Sequence, residues 1–148
     1  MTRTIFYEAG RYPVNLEPGE GGSFVVSIPD MPEALTEGDT REQALAEAAD
    51  ALVVAMGGYV EDRRPIPEPS AAGAGQEMVA LPMPTAAKPA LYTAIRDQGV
   101  TNVALAERPG VSETIVRRLV HHPDHHSKTE RVEQALAALG KHLVVEAA

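Results

Sequence analysis

The residues with the greatest chemical capacity fall into three groups. Four of the five histidines, His121, His122, His125 and His126, crowd together around Asp124. Imidazoles and a carboxylate gathered in this way could ligate zinc or nickel. Asp30, Glu33, Glu37 and Asp39 form the second group. Metal-dependent nucleases use such acids, but need two or three of them converging from rigid elements. The third group is Ser112, Glu113, Thr114, Arg117 and Arg118, with Lys128 beyond. Arginine reads guanine edges or holds phosphates, and a serine at a helix N-terminus suits a phosphate.

Which of these chemistries is available depends on the elements that position the residues. Pro123 interrupts any helix through the histidines, so the pairs 121/125 and 122/126 cannot share one helical face. With no cysteine in the chain and no HExxH pattern, no metal site is expected. The segment reads instead as a loop beside a nucleic-acid backbone, and its imidazoles gain charge below neutral pH. The four acids lie in "PDMPEALTEGDT", residues 29–40, which reads as a loop with two prolines. Such a loop is a poor scaffold for catalysis, so no enzyme activity and no cofactor are expected. A docking surface for a basic protein is the sharper expectation.

The whole chain has 148 residues, 44% of them hydrophobic and 4% aromatic, so its core must be aliphatic. The N-terminus lacks the apolar stretch of a signal peptide, and no run is long enough to span a membrane. A cytoplasmic protein is expected. The net charge of −8 is unevenly placed. Residues 1–87 hold 5 Lys+Arg against 14 Asp+Glu, while residues 88–148 hold 8 against 7. That split predicts two modules with different partners.

Alternation of apolar and polar residues predicts strands over 12–17 and 23–28, joined by the hairpin loop "PGEGG", whose glycines supply positive φ. Thr40 and Gln43 form a capping box ahead of an amphipathic helix over about 41–62, with Leu45, Ala48, Leu52, Met56 and Tyr59 inward. "PIPEPSAAGAG", residues 65–75, is a loop, and residues 77–84 read as a third strand. The second module begins near Thr85, with helices predicted over about 86–98, 102–108, 113–121 and 128–139, the last stopped by Gly140. "HLVVEA", residues 142–147, reads as a strand that pairs with its copy in a second subunit.

"LAERPGVSETIVRRL", residues 105–119, matches a helix-turn-helix. Ala106 is small where two helices cross, Gly110 permits the turn, and Val111 fills the angle between the helices. Val116 and Leu119 anchor the second helix, leaving Glu113, Thr114, Arg117 and Arg118 to face a groove. Pro109 departs from the apolar residue usual at that position, which leaves the end of the preceding helix open.

Residues 11–52, with a Tyr-Pro strand, a Gly-Gly hairpin, a strand ending in Pro-Asp, "TEGDT" and an Ala-rich helix, resemble the HicB antitoxin family. "IPEPS" at 66–70 and "LGKHLVV" at 139–145 are similar to segments of its helix-turn-helix branch. The resemblance implies an α+β protein in two domains. Residues 1–84 would be a toxin-binding module with a partial RNase H-like fold lacking the nuclease carboxylates. Residues 85–148 would be a DNA-binding and dimerisation domain. It further implies a HicA-type toxin as partner, a small basic mRNA-cleaving RNase, and repression of the chain's own operon at operator DNA by a homodimer or tetramer. Asp30, Glu33, Glu37 and Asp39 are the toxin-binding residues expected from charge. The rival expectation is a stand-alone regulator whose first domain senses another ligand.

Overall fold

The structure, a computed structural model, describes residues 11–81, 83–108, 111, 113–121 and 129–141. It combines an antiparallel sheet with helices, an α+β architecture as expected. The described residues divide into two compact units, residues 11–56 with 67–81, and residues 57–66 with those from 83 onward. They are called the sheet unit and the helical unit below.

The sheet unit holds β1 (Arg11–Pro18), β2 (Phe24–Ser27), β3 (Thr36–Gly38) and β4 (Glu77–Ala80) in the order β3-β2-β1-β4. Every pairing is antiparallel. The hairpin between β1 and β2 closes through a 3-10 turn at Glu20–Gly22, where Gly21 and Gly22 take φ of 66° and 80°. These are the left-handed positions expected of its glycines. Alternation along β1 puts Tyr12 and Val14 on one face, where Tyr12 is opposite Val79 and Leu16 is opposite Val26. Helix α1 (Arg41–Glu61) supplies the rest of this core through Ala44, Ala48, Leu52 and Met56, all buried and four residues apart. Leu45, expected inward, is only half-buried, and Ala44 takes the buried position.

Two departures from the sequence reading follow from local chemistry. The segment read as a loop, residues 29–40, contains edge strand β3. Its start is also pinned: Met31 N–H donates to Ile28 O and Ala34 N–H to Met31 O, both at 2.9 Å, and Met31 and Ala34 are buried. The second departure is that strand β4 stops at Ala80, and Met83 and Pro84 open the next helix instead of ending a strand.

The helical unit holds α2 (Met83–Gln98), α3 (Asn102–Ala106), α4 (Glu113–His121) and α5 (Thr129–Ala138). Helix α2 packs on α4 and α5, and α3 packs on α4. Their shared core is Ala87, Leu91, Ala94, Leu105, Val116, Val132, Ala135, Leu136 and Leu139. Alanine at three of these positions lets the helices approach closely. Helix α3 ends at Ala106, two residues sooner than expected, after its predicted cap: Thr101 accepts from Ala104 N–H at 3.1 Å. The predicted strand over 142–147 lies outside the described residues.

Three helix C-termini in this unit are closed by a residue in the left-handed region. Gly140 has φ of 73°, its N–H donates to Ala137 O at 3.0 Å, and Lys141 N–H donates to Leu136 O at 2.9 Å. This is a Schellman cap. The two remaining C-terminal carbonyls of α5 are taken by side chains, Ala138 O by Arg108 at 2.5 Å and Leu139 O by Gln98 at 2.8 Å. The carbonyls of residues 136 to 139, at the end where a helix lacks intrahelical partners, are therefore all occupied. Gly99 closes α2 in the same backbone geometry, and Arg63 closes α1 with φ of 56°.

Candidate functional site

The expected surfaces fall in different units. In the helical unit, Glu113, Thr114, Arg117 and Arg118 are exposed on α4 while Val116 is buried beneath them. The helix sequence makes this division, because residue 116 lies on the face opposite to 114 and 118. Val111 and Leu105 pack into the same core, so the short α3 and the start of α4 share one apolar anchor. Arg117 is held by Glu113 one turn earlier at 2.9 Å, and both side chains are largely exposed. Such a pair contributes only about 0.3–0.5 kcal/mol, so a phosphate can displace the glutamate without much loss. Arg118 is exposed beside it on the same helix. Ser112, Lys128 and the histidine side chains at 121, 122, 125 and 126 lie outside the described residues.

In the sheet unit the four acids separate by role. Both oxygens of Asp30 are engaged by Ser70, from its backbone N–H at 2.8 Å and its hydroxyl at 2.6 Å. Asp30 thus ties the turn after β2 to the Pro-rich segment, and the Tyr12 hydroxyl ties the same segment by donating to Pro67 O at 2.7 Å. Glu33 is exposed in the pinned turns that follow. Glu37 is exposed on β3, and Asp39 is exposed just before α1. With Glu20 from the hairpin, Glu37 and Asp39 line an open cleft of about 620 Å³.

The capping box beside this cleft forms with one change of partner. Thr40 Oγ1 accepts from Gln43 N–H at 3.1 Å, while Gln43 Oε1 reaches back to Asp39 N–H at 3.0 Å. Gly38 explains the glycine in "TEGDT". A Cβ on it would lie 2.4 Å from the backbone nitrogen of Ala44 and 2.7 Å from its Cα. Edge strand β3 therefore rests directly on the backbone of the first turn of α1, and only glycine at residue 38 permits that approach. Sequence reading missed β3, Gly38 and the lining role of Glu20. No local pattern marked β3, because the one large apolar residue of Leu35–Gly38, Leu35, lies on the exposed side.

Among the described residues, no three His, Cys, Asp or Glu side chains are grouped to hold a metal ion, and no helix is long and apolar enough to cross a membrane. Most charged residues are exposed, Lys88 on α2 being the buried exception among the described residues, and the rest of the core is apolar. Fold and surfaces together define a class, a mixed sheet-and-helix protein with one strongly acidic unit and a second, helical one.

Comparison with known proteins narrows that class. The family described as "HicB_like antitoxin of bacterial toxin-antitoxin system" matches residues 11–90. Antitoxin HicB 1 of Photorhabdus laumondii is 43% identical over 135 residues, covering 91% of this chain and 85% of that protein. Antitoxin HicB 2 of the same organism is 46% identical over 133 residues, covering 90% and 93%. Antitoxin HicB of Escherichia coli K12 is 38% identical over 135 residues, covering 90% and 96%. The chain belongs to the HicB antitoxin family, the family its Tyr-Pro strand, Gly-Gly hairpin and "TEGDT" motif resemble. It is an antitoxin of a toxin–antitoxin system, and a toxin is its partner.

Proposed function

We propose that this antitoxin neutralises a HicA-type mRNA-cleaving toxin by direct binding through the sheet unit, which takes a partial RNase H-like form. The helical unit represses the antitoxin's own operon. In this reading α3 and α4 form a helix-turn-helix and α4 is the recognition helix. Ser112 and Lys128 approach phosphates, while Glu113, Thr114, Arg117 and Arg118 meet the groove. Two copies present two such helices to a pseudo-palindromic operator, about one turn of DNA or 34 Å apart. Glu33, Glu37 and Asp39 face the toxin, and Asp30 holds the turn that carries Glu33.

The observation that carries the reading is the division of α4. One face, through Val116, is sunk in the core, and the other exposes two adjacent arginines in a chain whose net charge is −8. A repressor needs its cations concentrated on the one surface that meets DNA. The engagement of Asp30 by Ser70 supports binding over nuclease chemistry, because a carboxylate with both oxygens occupied is a poor metal ligand. The test is a band-shift titration with DNA from upstream of the gene. Sequence-specific retardation that scrambled DNA does not compete away is the expected result. Equal affinity for both DNAs removes the repressor role.

A further inference from the structure

Helix α1 covers one face of the sheet, and the opposite face carries a different pattern. Register places Glu17 opposite Val25 and Val25 opposite Glu37, so these three residues form one row across β1, β2 and β3. The neighbouring row holds Asn15 opposite Ser27, and extending the β2–β3 register by one residue brings Leu35 beside Ser27. Glu17 and Glu37 are exposed, Val25 and Ser27 are half-buried, and Leu35 is 65% exposed. The cleft lined by Glu20, Glu37 and Asp39 adjoins this row through Val25 and Glu37, and no Lys or Arg lines it. Arg41 is paired with Glu77, on the α1 side of the sheet.

We propose that this outer sheet face is where the toxin docks, with Leu35 and Val25 as apolar anchors and Glu17, Glu20, Glu37 and Asp39 as an acidic rim. An apolar centre inside a charged rim is the usual anatomy of a specific protein interface. The charge selects the occupant. A second copy of the same face would set Glu17 and Glu37 against their own kind, and a nucleic acid would be repelled. A protein surface bearing Lys or Arg around an apolar recess satisfies both parts. Glu17 and Glu37 stand about 10 Å apart, two strand spacings, which suits two cations on one partner face. The proposal rests on the toxin-neutralising reading and moves its centre from the turn after β2 to the sheet.

The experiment is calorimetry of the full chain against a catalytically inactivated form of the toxin encoded beside its gene. Three variants are compared with the parent: Glu17→Lys with Glu37→Lys, Leu35→Ser alone, and Glu47→Lys with Asp50→Lys. The last pair lies on the exposed side of α1 and changes net charge equally. The sheet-face reversal is expected to weaken binding about 30-fold or more and Leu35→Ser about tenfold. The α1 reversal is expected to weaken it less than about threefold. Melting curves establish that each variant folds, and Leu35→Ser decides the matter if the double reversal does not. Unchanged toxin affinity in the face variants overturns the proposal and leaves neutralisation standing. So does an equal loss in the α1 control, which would reduce the effect to bulk charge. A change in self-association on size exclusion without a change in toxin affinity assigns the face to a second copy and also overturns it. Failure of the parent chain to bind any toxin removes the neutralisation reading and this proposal together.

Discussion

Two arginines ten residues apart show how one residue type serves different ends. Arg108 is half-buried after α3 and caps α5 through the Ala138 carbonyl. Arg118 lies exposed on α4. Both lie in the helix-turn-helix segment, where only Arg118 was expected to face a groove, and the capping role of Arg108 follows from the position of α5, far along the chain. Arg108→Ala is expected to lower stability by about 1 kcal/mol, visible as a lower melting temperature. Arg118→Ala should leave melting unchanged and weaken specific operator binding by about 1–3 kcal/mol in a band-shift titration. Loss of stability without loss of DNA affinity in Arg118→Ala would reverse the assignment. Asp30 shows the same point for an acid. Its charge was legible in the sequence, whereas its partner Ser70 lies forty residues on and follows only from the fold.

At the scale of elements, legibility followed the strength of the local signal. The β1–β2 hairpin, α1, and the glycine stop of α5 were readable because period, cap and φ agree at one place in the chain. Edge strand β3 was not, because three residues with two of them Glu and Gly carry almost no strand propensity. Its stability comes from β2 and from the contact of Gly38 with α1. Gly38→Ala is therefore expected to cost about 1–3 kcal/mol from overpacking in a denaturant titration, and to weaken toxin binding by displacing β3. A neutral result would show that α1 can move away from the strand. Arg63 offers the opposite case. It ends α1 in the left-handed region with φ of 56°, where Arg64 N–H donates to Tyr59 O at 2.8 Å and Arg63 N–H to Val60 O at 3.1 Å. A side chain in that region is strained, and glycine is not. After allowing for the greater freedom of glycine in the unfolded chain, Arg63→Gly should gain about 0.5–1 kcal/mol. A lower melting temperature would mean that the Arg63 side chain contributes more than its backbone strain costs.

For the molecule as a whole, uneven charge was the most informative feature of composition. The acidic excess sits in the half that contains the sheet unit, and the helical unit exposes two adjacent arginines, Arg117 and Arg118, on α4. Composition could indicate two partners of opposite character but not their identity; family membership supplies the toxin. An acidic surface for a basic toxin and a cationic helix for DNA also predict that both bindings weaken with salt, and that the DNA interaction does so more steeply through counterion release.

The central claim is that this chain binds and silences a toxin. The most direct measurement is growth of cells that express the toxin encoded beside this gene, with and without co-expression of the full chain, followed by purification through a tag on the toxin. Restored growth and recovery of both proteins in one size-exclusion peak is the predicted result. Arrested growth with the chain present as soluble, unbound protein would contradict the account.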